Sequence, residues 1–297
     1  MQVQFDQLVT FLAVLEEGTF DAAARRLQVT PSAVSQRIRA LEIGTGRVLL
    51  RRTKPVTATE SGLVLARLAR QTSQLTAEAA AELGAAGPDR PTAGEIPIVI
   101  NADSLATWAL PPLARSARED GIRFDIRRED EQHSVELLRA GTVMAAVTAV
   151  AEPVQGCSVR RLGRMRYLLT AAPEYAERWL PGGLTVENLA RAPVLAFDHR
   201  DDLQDRYLRR RARRRLDPPR HYVPSSAEFA RAVTLSMGWG LLPEADAEPL
   251  LASGAVIMPE PAAHVDVALY WQRWRLPSPV LDRVSEAIIA AAAEALR

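Results

Sequence analysis

The 297-residue chain is long for one small domain and predicts two or three folding units. Apolar residues make up 47% and charged residues 25%, the balance of a folded soluble chain rather than a disordered one, and no apolar run approaches the ~20 residues a membrane helix needs, so no membrane partner is expected. The net charge of +1 hides an asymmetry: residues 1–70 carry ten Lys/Arg against six Asp/Glu and the remainder 27 against 30, which puts the positive field at the N-terminus, where a polyanion could be met.

The first residues are amphipathic, broken by Asp6 and Glu16, and lack a small-residue cleavage site, so a cytoplasmic location is expected. Phe5, Leu8, Val9, Leu12 and Leu15 follow helical spacing until Gly18 stops the helix. Thr19 can cap a second helix with Phe20, Ala23, Ala24 and Leu27 inward. Thr30-Pro31 reads as an N-cap followed by proline at the first helical position. The third helix then has two faces of one period. Val34, Ile38 and Leu41 point inward, while Ser32, Ser35, Gln36 and Arg39 form a polar stripe able to meet base edges in a major groove. Val48-Leu49-Leu50 followed by Arg51-Arg52-Thr53-Lys54-Pro55 predicts a β-hairpin wing whose cations reach phosphate. The bland alternative is a solvated helix beside a basic loop.

From Glu60 to about Ala86 the chain is rich in Ala, Leu and Arg and has no proline. Leu65, Leu68, Thr72, Leu75 and Ala79 alternate steps of three and four as a coiled-coil seam does, which predicts a homodimer; packing against the chain's own C-terminal domain is the alternative. Gly84, Gly87, Pro88 and Pro91 predict a hinge. The expected divisions are 1–58, a winged helix-turn-helix; 59–88, a linker helix with its hinge; and 89–297, a ligand-binding domain.

Beyond Gly94 strands alternate with helices. Ile96–Ile100, Phe124–Ile126 and Met144–Val150 read as strands, with helices near Leu105–Ala117 and His133–Ala140; Tyr167–Thr170 and Val194–Phe197 begin a second set. This predicts two α/β lobes, the first 94–163 with 266–297 and the second 164–265, and ligands bind such sheets beyond the carboxyl ends of their strands. Asn101-Ala102-Asp103-Ser104 directly precedes a helix, where backbone N–H groups and the Ser104 hydroxyl suit a carboxylate. Glu129-Asp130-Glu131 and Asp198, Asp201 and Asp202 suit a cation. A carboxylate anchor with acidic partners describes a basic amino acid; the alternative for each acidic cluster is a solvated loop or helix cap.

Cys157 is the lone cysteine and reads as a small packing residue. The scattered histidines His133, His199, His221 and His264 give no metal-ligand spacing, so neither metal nor cofactor is expected. The run Arg209, Arg210, Arg211, Arg213, Arg214 and Arg215 reads as a solvated face or subunit contact, with nucleic-acid binding as the alternative. An enzyme is disfavoured by the lack of GxSxG, a P-loop or a dinucleotide fingerprint; Gly238-Trp239-Gly240 lacks the third glycine.

FLAVLEEGTFDAAARRLQVTPSAVSQRIRALE and RRTKPVTATESG, within Phe11–Gly62, closely resemble the winged helix of LysR-type transcriptional regulators. The resemblance implies DNA contacts from Pro31, Ser32, Ser35, Gln36, Arg37 and Arg39, with wing support from Arg51, Arg52 and Lys54. NADSLATW at 101–108, EDEQHS at 129–134, PVQGC at 153–157, LGRMRY at 162–167, LQD at 203–205 and GWGLLPE at 238–244 are similar to the arginine- and lysine-sensing branch of that family, the ArgP- and LysG-like regulators. The implied fold is a winged helix-turn-helix, a long linker helix and two Rossmann-like lobes resembling periplasmic binding proteins. The implied function is control of a basic-amino-acid exporter or related metabolic gene by L-lysine or L-arginine. Asp103, Ser104, Asp130, Glu131, Thr148 and Asp201 are then expected at the effector. The implied partners are double-stranded operator DNA, a second copy (possibly two dimers as a tetramer) and RNA polymerase. The alternatives are a nucleoid-type or replication-origin DNA-binding protein without small-molecule control, or an enzyme fused to a DNA-binding domain.

Overall fold

A computed structural model describes residues 3–83, 95–129 and 131–297, without the side chains of residues 81, 82 and 131–133. The expected hinge at Gly84–Pro91 and the expected ligand contact Asp130 lie outside the described residues. Contacts divide the chain into two compact units. One holds the stretch up to Val99 with Arg115–Val159 and Gln272–Ser285; the other holds Ile100–Ala114, Arg160–Trp271 and Glu286–Arg297.

The first unit begins with helices α1 (Phe5–Glu17), α2 (Phe20–Leu27) and α3 (Pro31–Thr45). Their boundaries follow from local chemistry. Gly18 ends α1 in the left-handed conformation, and the Thr19 hydroxyl accepts the Ala22 N–H to start α2. The Thr30 hydroxyl accepts the Ala33 N–H, with Pro31 at the first helical position. The spacing on α1 was only partly informative. Leu8 is buried and Leu12 and Leu15 pack partly against the core, but Phe5 is 45% exposed and the most buried positions are Thr10, Phe11 and Val14. That helix is apolar on several sides, and α2, α3 and the fourth helix all pack on it, so the 8-11-14 row faces the common centre.

Strands β1 (Leu50–Arg51) and β2 (Thr57–Ala58) pair antiparallel as a short wing, and Val56 N–H donates to the Gly18 carbonyl, tying the wing's return to the α1–α2 turn. Helix α4 (Glu60–Glu82) starts hard against the wing: a Cβ on Gly62 would lie 2.1 Å from the Leu49 carbonyl oxygen. The faces of α4 differ in use. Leu65, Ala66 and Ala69 join the core of the first three helices. Another face packs on the remainder of the same unit: Arg67 donates to the Gln155 carbonyl, Arg70 to the Ala140 carbonyl, and Glu78 accepts from Ser278. Gly141 permits the approach, since a Cβ there would come 2.7 Å from the Arg67 Cα. The expected seam is therefore divided. Leu65 is internal, whereas Leu68 and Leu75 are exposed with Val64, on a stripe about a quarter-turn from the Arg67–Arg70 face.

Next come β3 (Glu95–Ile100), α5 (Ala102–Ser104), a π-helical turn (Leu105–Ala109), α6 (Leu110–Glu119), β4 (Arg123–Arg127), α7 (Glu131–Ala140), β5 (Ala145–Thr148) and β6 (Cys157–Thr170). In the first unit β3 lies between β4, to which it is parallel, and β5, and is apolar almost throughout, as a strand covered on both faces must be. Cys157 is buried there, and burial pushes its thiol up to about 11, against the opposing charges of Arg67 and Arg275.

The chain continues through α8 (Pro173–Trp179), α9 (Val186–Arg191), β7 (Val194–Ala196), α10 (Leu203–Ala212), β8 (Arg220–Tyr222), α11 (Ser226–Thr234), β9 (Gly240–Pro243), α12 (Glu244–Ala252), β10 (His264–Trp274) and α13 (Pro279–Ala295). In the second unit β6 pairs antiparallel with β9, from Tyr167↔Pro243 to Thr170↔Gly240, and β7 pairs parallel with β8. Leu168, Leu195, Phe229, Val233 and Leu242 form a core there. The Gly238-Trp239-Gly240 glycines serve packing: a Cβ on Gly240 would meet the Phe229 ring at 2.7 Å, and Trp239 is fully buried with its ring edge-on to Tyr207. Half of the arginine run is engaged within this unit. Arg209 pairs with Asp202, Arg210 lies over the Tyr207 ring, and Arg211 pairs with Glu260.

Candidate DNA interface and acidic cluster

The third helix presents the two faces its sequence requires. Val34, Ile38 and Leu41 are buried, while Pro31, Ser32, Ser35, Gln36 and Arg39 are exposed along one side. The hydroxyls of Thr30 and Ser32 lie 2.9 Å apart, so the cap and the first stripe residue are ordered together. Arg37 is placed differently from its neighbours. Its guanidinium turns back onto α1, 3.3 Å from the Thr10 hydroxyl and 3.4 Å from the Asp6 carboxylate, so it braces α3 against α1. In the wing, Arg51, Arg52 and Lys54 are all exposed, and the Arg52 guanidinium sits 5.6 Å from the centre of the Phe20 ring. A rigid helix with hydrogen-bonding side chains at its N-terminal end, flanked by a cationic wing, suits a duplex: the helix can reach base edges and the wing phosphate.

The second unit gathers charge of the other sign. The Asp103 carboxylate accepts from the Tyr167 hydroxyl and from the Ser226 hydroxyl, each at 2.9 Å. Burial raises the Asp103 carboxyl above the usual carboxylate range, with those two hydrogen bonds opposing the rise. Asp201 is raised as well, first by burial and then by the charges of Asp103 and Asp198, although it accepts the N–H groups of Phe197 and Leu203. Asp246 rises through burial and the charge of Asp103. Three carboxylates thus share one potential, and a cation placed among them relieves both the burial cost and their mutual repulsion.

Beside Asp103 stand donors without acceptors. The Ser104 hydroxyl and, four residues on, the Trp108 indole N–H are buried and have no hydrogen-bond partner among the described residues. They lie at either end of the π-helical turn, an irregularity often found at functional sites. The Ser104 N–H itself is already used, capped by the Asn101 side chain. A carboxylate suited to a cation and two buried donors suited to an anion therefore occur within residues 103–108.

Of the six expected ligand residues, Asp103, Ser104 and Asp201 fall in this unit. Thr148 belongs to the first unit, where its buried hydroxyl accepts the Val150 N–H, and Glu131 opens α7 there. Sequence reading did not single out Tyr167, Ser226 or Asp246. Tyr167 ends the LGRMRY stretch, but its pairing with Asp103 spans 64 residues and that of Ser226 spans 123, beyond any local pattern. Among the described residues no cluster of His, Cys, Asp and Glu could hold a metal ion, and no helix is long and apolar enough to cross a membrane.

Two family models match successive parts of the chain. Residues 5–63 match the bacterial regulatory helix-turn-helix protein model of the lysR family, and residues 90–293 match the LysR substrate binding domain. The lysine export transcriptional regulatory protein LysG of Corynebacterium efficiens is 46% identical over 295 residues, covering 98% of each chain. The crystal structure of ArgP from Mycobacterium tuberculosis superposes with a TM-score of 0.91 at 44% identity, over 100% of this chain and 99% of that one. Full-length LysG from Corynebacterium glutamicum with bound effector Arg gives 0.84 at 42%, over 99% and 100%. From its first helix to its last, the chain belongs to the LysR family of bacterial regulators.

Proposed function

We propose that this chain is a transcriptional regulator that binds DNA through α3 and the wing and takes lysine or arginine as effector in its second unit. The carrying observation is the acidic cluster of Asp103, Asp201 and Asp246 next to the unpartnered donors of Ser104 and Trp108. A basic amino acid brings two positive charges and one carboxylate, which matches that inventory. The arginine bound to the C. glutamicum LysG supports the same chemistry, at 42% identity. By the same likeness, the controlled gene is an exporter of basic amino acids or a related metabolic gene, and the regulator works in the cytoplasm with operator DNA and RNA polymerase. The exposed Val64–Leu68–Leu75 stripe supports self-association as a dimer, the unit from which a tetramer would be built. The role is binding rather than catalysis: lysine and arginine should be recovered unchanged after incubation with the protein.

A thermal-shift screen of the standard amino acids tests the effector. A ligand that binds only the folded state raises the melting temperature by mass action. Lysine or arginine should give the largest rise, and Asp103→Asn should remove it. No rise with either at millimolar concentration would overturn the assignment.

A further inference from the structure

The turn after α10 carries charge that neither the DNA-binding helices nor the acidic cluster uses. Residues 202–220 hold eight arginines against three aspartates, whereas the rest of the stretch 71–297 holds 19 cations against 27 carboxylates. The carboxylates nearby are already engaged. Asp202 pairs with Arg206 and Arg209, Asp205 and Asp217 with Arg220, and Glu260 with Arg211. Arg213, Arg214 and Arg215 are exposed, and among the described residues their side chains make no hydrogen bond, ion pair or ring contact. Arg210, one turn earlier, lies over Tyr207 and donates to the His264 carbonyl, so among the described residues no carboxylate answers it either.

Two features separate this turn from an ordinary solvated helix end. Arg213 caps α10 in the left-handed conformation, with φ 53° and its N–H donating to the Arg209 carbonyl. Glycine takes that conformation freely and an arginine does not, so the cap keeps a guanidinium against the backbone preference. Leu216 and Pro218 are buried directly afterwards, so the three arginines stand on a short turn anchored at both ends. The negative end of the helix dipole needs little more than one cation, and Arg209, Arg210 and Arg211 already occupy the last turn. Three further guanidinium groups in sequence repel one another until a polyanion lies against them. Their planar forks match phosphate oxygens, and a duplex backbone presents phosphates in a closely spaced row. We propose that the Arg213–Arg215 turn is a second duplex contact, taking the phosphate backbone of DNA that α3 and the wing already hold. It rests on the reading of α3 and the wing as a DNA interface, since that first contact raises the effective concentration of duplex for the second. A contact to phosphate reads no bases, so it adds affinity and salt dependence rather than choice of site.

Fluorescence anisotropy of the full-length protein tests this with two duplexes that share one selected site, the longer adding flanks of about five helical turns on each side. The test variant combines Arg213→Gly, Arg214→Gln and Arg215→Gln; glycine suits the left-handed cap, so its melting temperature should not fall. On the long duplex it should bind at least tenfold more weakly than the unaltered chain, with a salt slope lower by about two to three per chain. On the short duplex the two proteins should agree within about twofold. Arg214→Lys with Arg215→Lys, which keeps the charges, should hold the long duplex as the unaltered chain does. The inference is overturned if the triple variant keeps both affinity and slope on the long duplex. It is equally overturned if that variant loses only binding to polyglutamate, which would make the partner an acidic protein. Lys54→Ala separates the two readings. If it weakens both duplexes and the triple variant weakens neither, the second contact alone falls; if neither change alters the salt slope, the wing reading falls with it.

Discussion

Gln36 and Lys54 are both exposed and polar, yet the proposed DNA interface gives them different work. Gln36 sits on the helix face opposite a buried row, so its amide can discriminate bases; Lys54 sits at a wing tip, where a point charge meets phosphate regardless of sequence. Gln36→Ala should reduce preference among duplexes by about 1–3 kcal/mol at one position, while Lys54→Ala should weaken all duplexes alike and lower the salt slope by about one. Fluorescence anisotropy across a salt series reads both. At the other site, a raised carboxyl contributes to stability below the ordinary carboxylate range, and that contribution is lost as pH rises through the raised value. The ligand-free protein should therefore gain stability from Asp103, Asp201 and Asp246 as pH falls through their raised values. Arginine, if it binds there as proposed, needs them ionised and should bind more weakly over the same interval. Melting curves with and without arginine across that range test this, and Asp103→Asn should flatten both trends. Asp103 stands out in the sequence because it opens a helix after a strand. Its two hydroxyl partners do not, because only the folded chain brings them together.

Helix α3 could be read from sequence almost residue by residue, since its cap, its proline and two interleaved rows of opposite polarity all agree. Helix α1 could not, because an element apolar on several sides gives no unique inward row until its neighbours are known. Helix α4 was legible as a long helix, but its seam was not. Leu65 lies within the reach of the first helices and is consumed by their core, leaving Val64, Leu68 and Leu75 exposed for the proposed dimer. Leu68→Glu together with Leu75→Glu should weaken the dimer at least a hundredfold, since each exposed leucine covered by a partner contributes about 1.5–3 kcal/mol; sedimentation analysis measures it. Gly62 shows a constraint of another kind. No turn chemistry demands it, but the Leu49 carbonyl leaves no room for a Cβ. Gly62→Ala should cost about 2 kcal/mol or more by overpacking, seen as a lower denaturant midpoint with the slope unchanged.

At the scale of the whole chain, the charge division matches the two proposed tasks: cations in the first seventy residues for a polyanion, clustered carboxylates farther on for a small cation. For one to regulate the other, the effector must bind the two DNA-binding states with unequal affinity, and linkage makes that inequality reciprocal. A ten- to hundredfold change in DNA affinity corresponds to about 1.4–2.7 kcal/mol of coupling. The direct measurement is the affinity of the full-length protein for duplexes it selects from fragmented genomic DNA, with and without millimolar lysine or arginine. The account predicts a defined set of selected sites and at least a tenfold change in affinity with one of these amino acids, none with glutamate. Indiscriminate selection, or identical affinities with and without both basic amino acids, would contradict it.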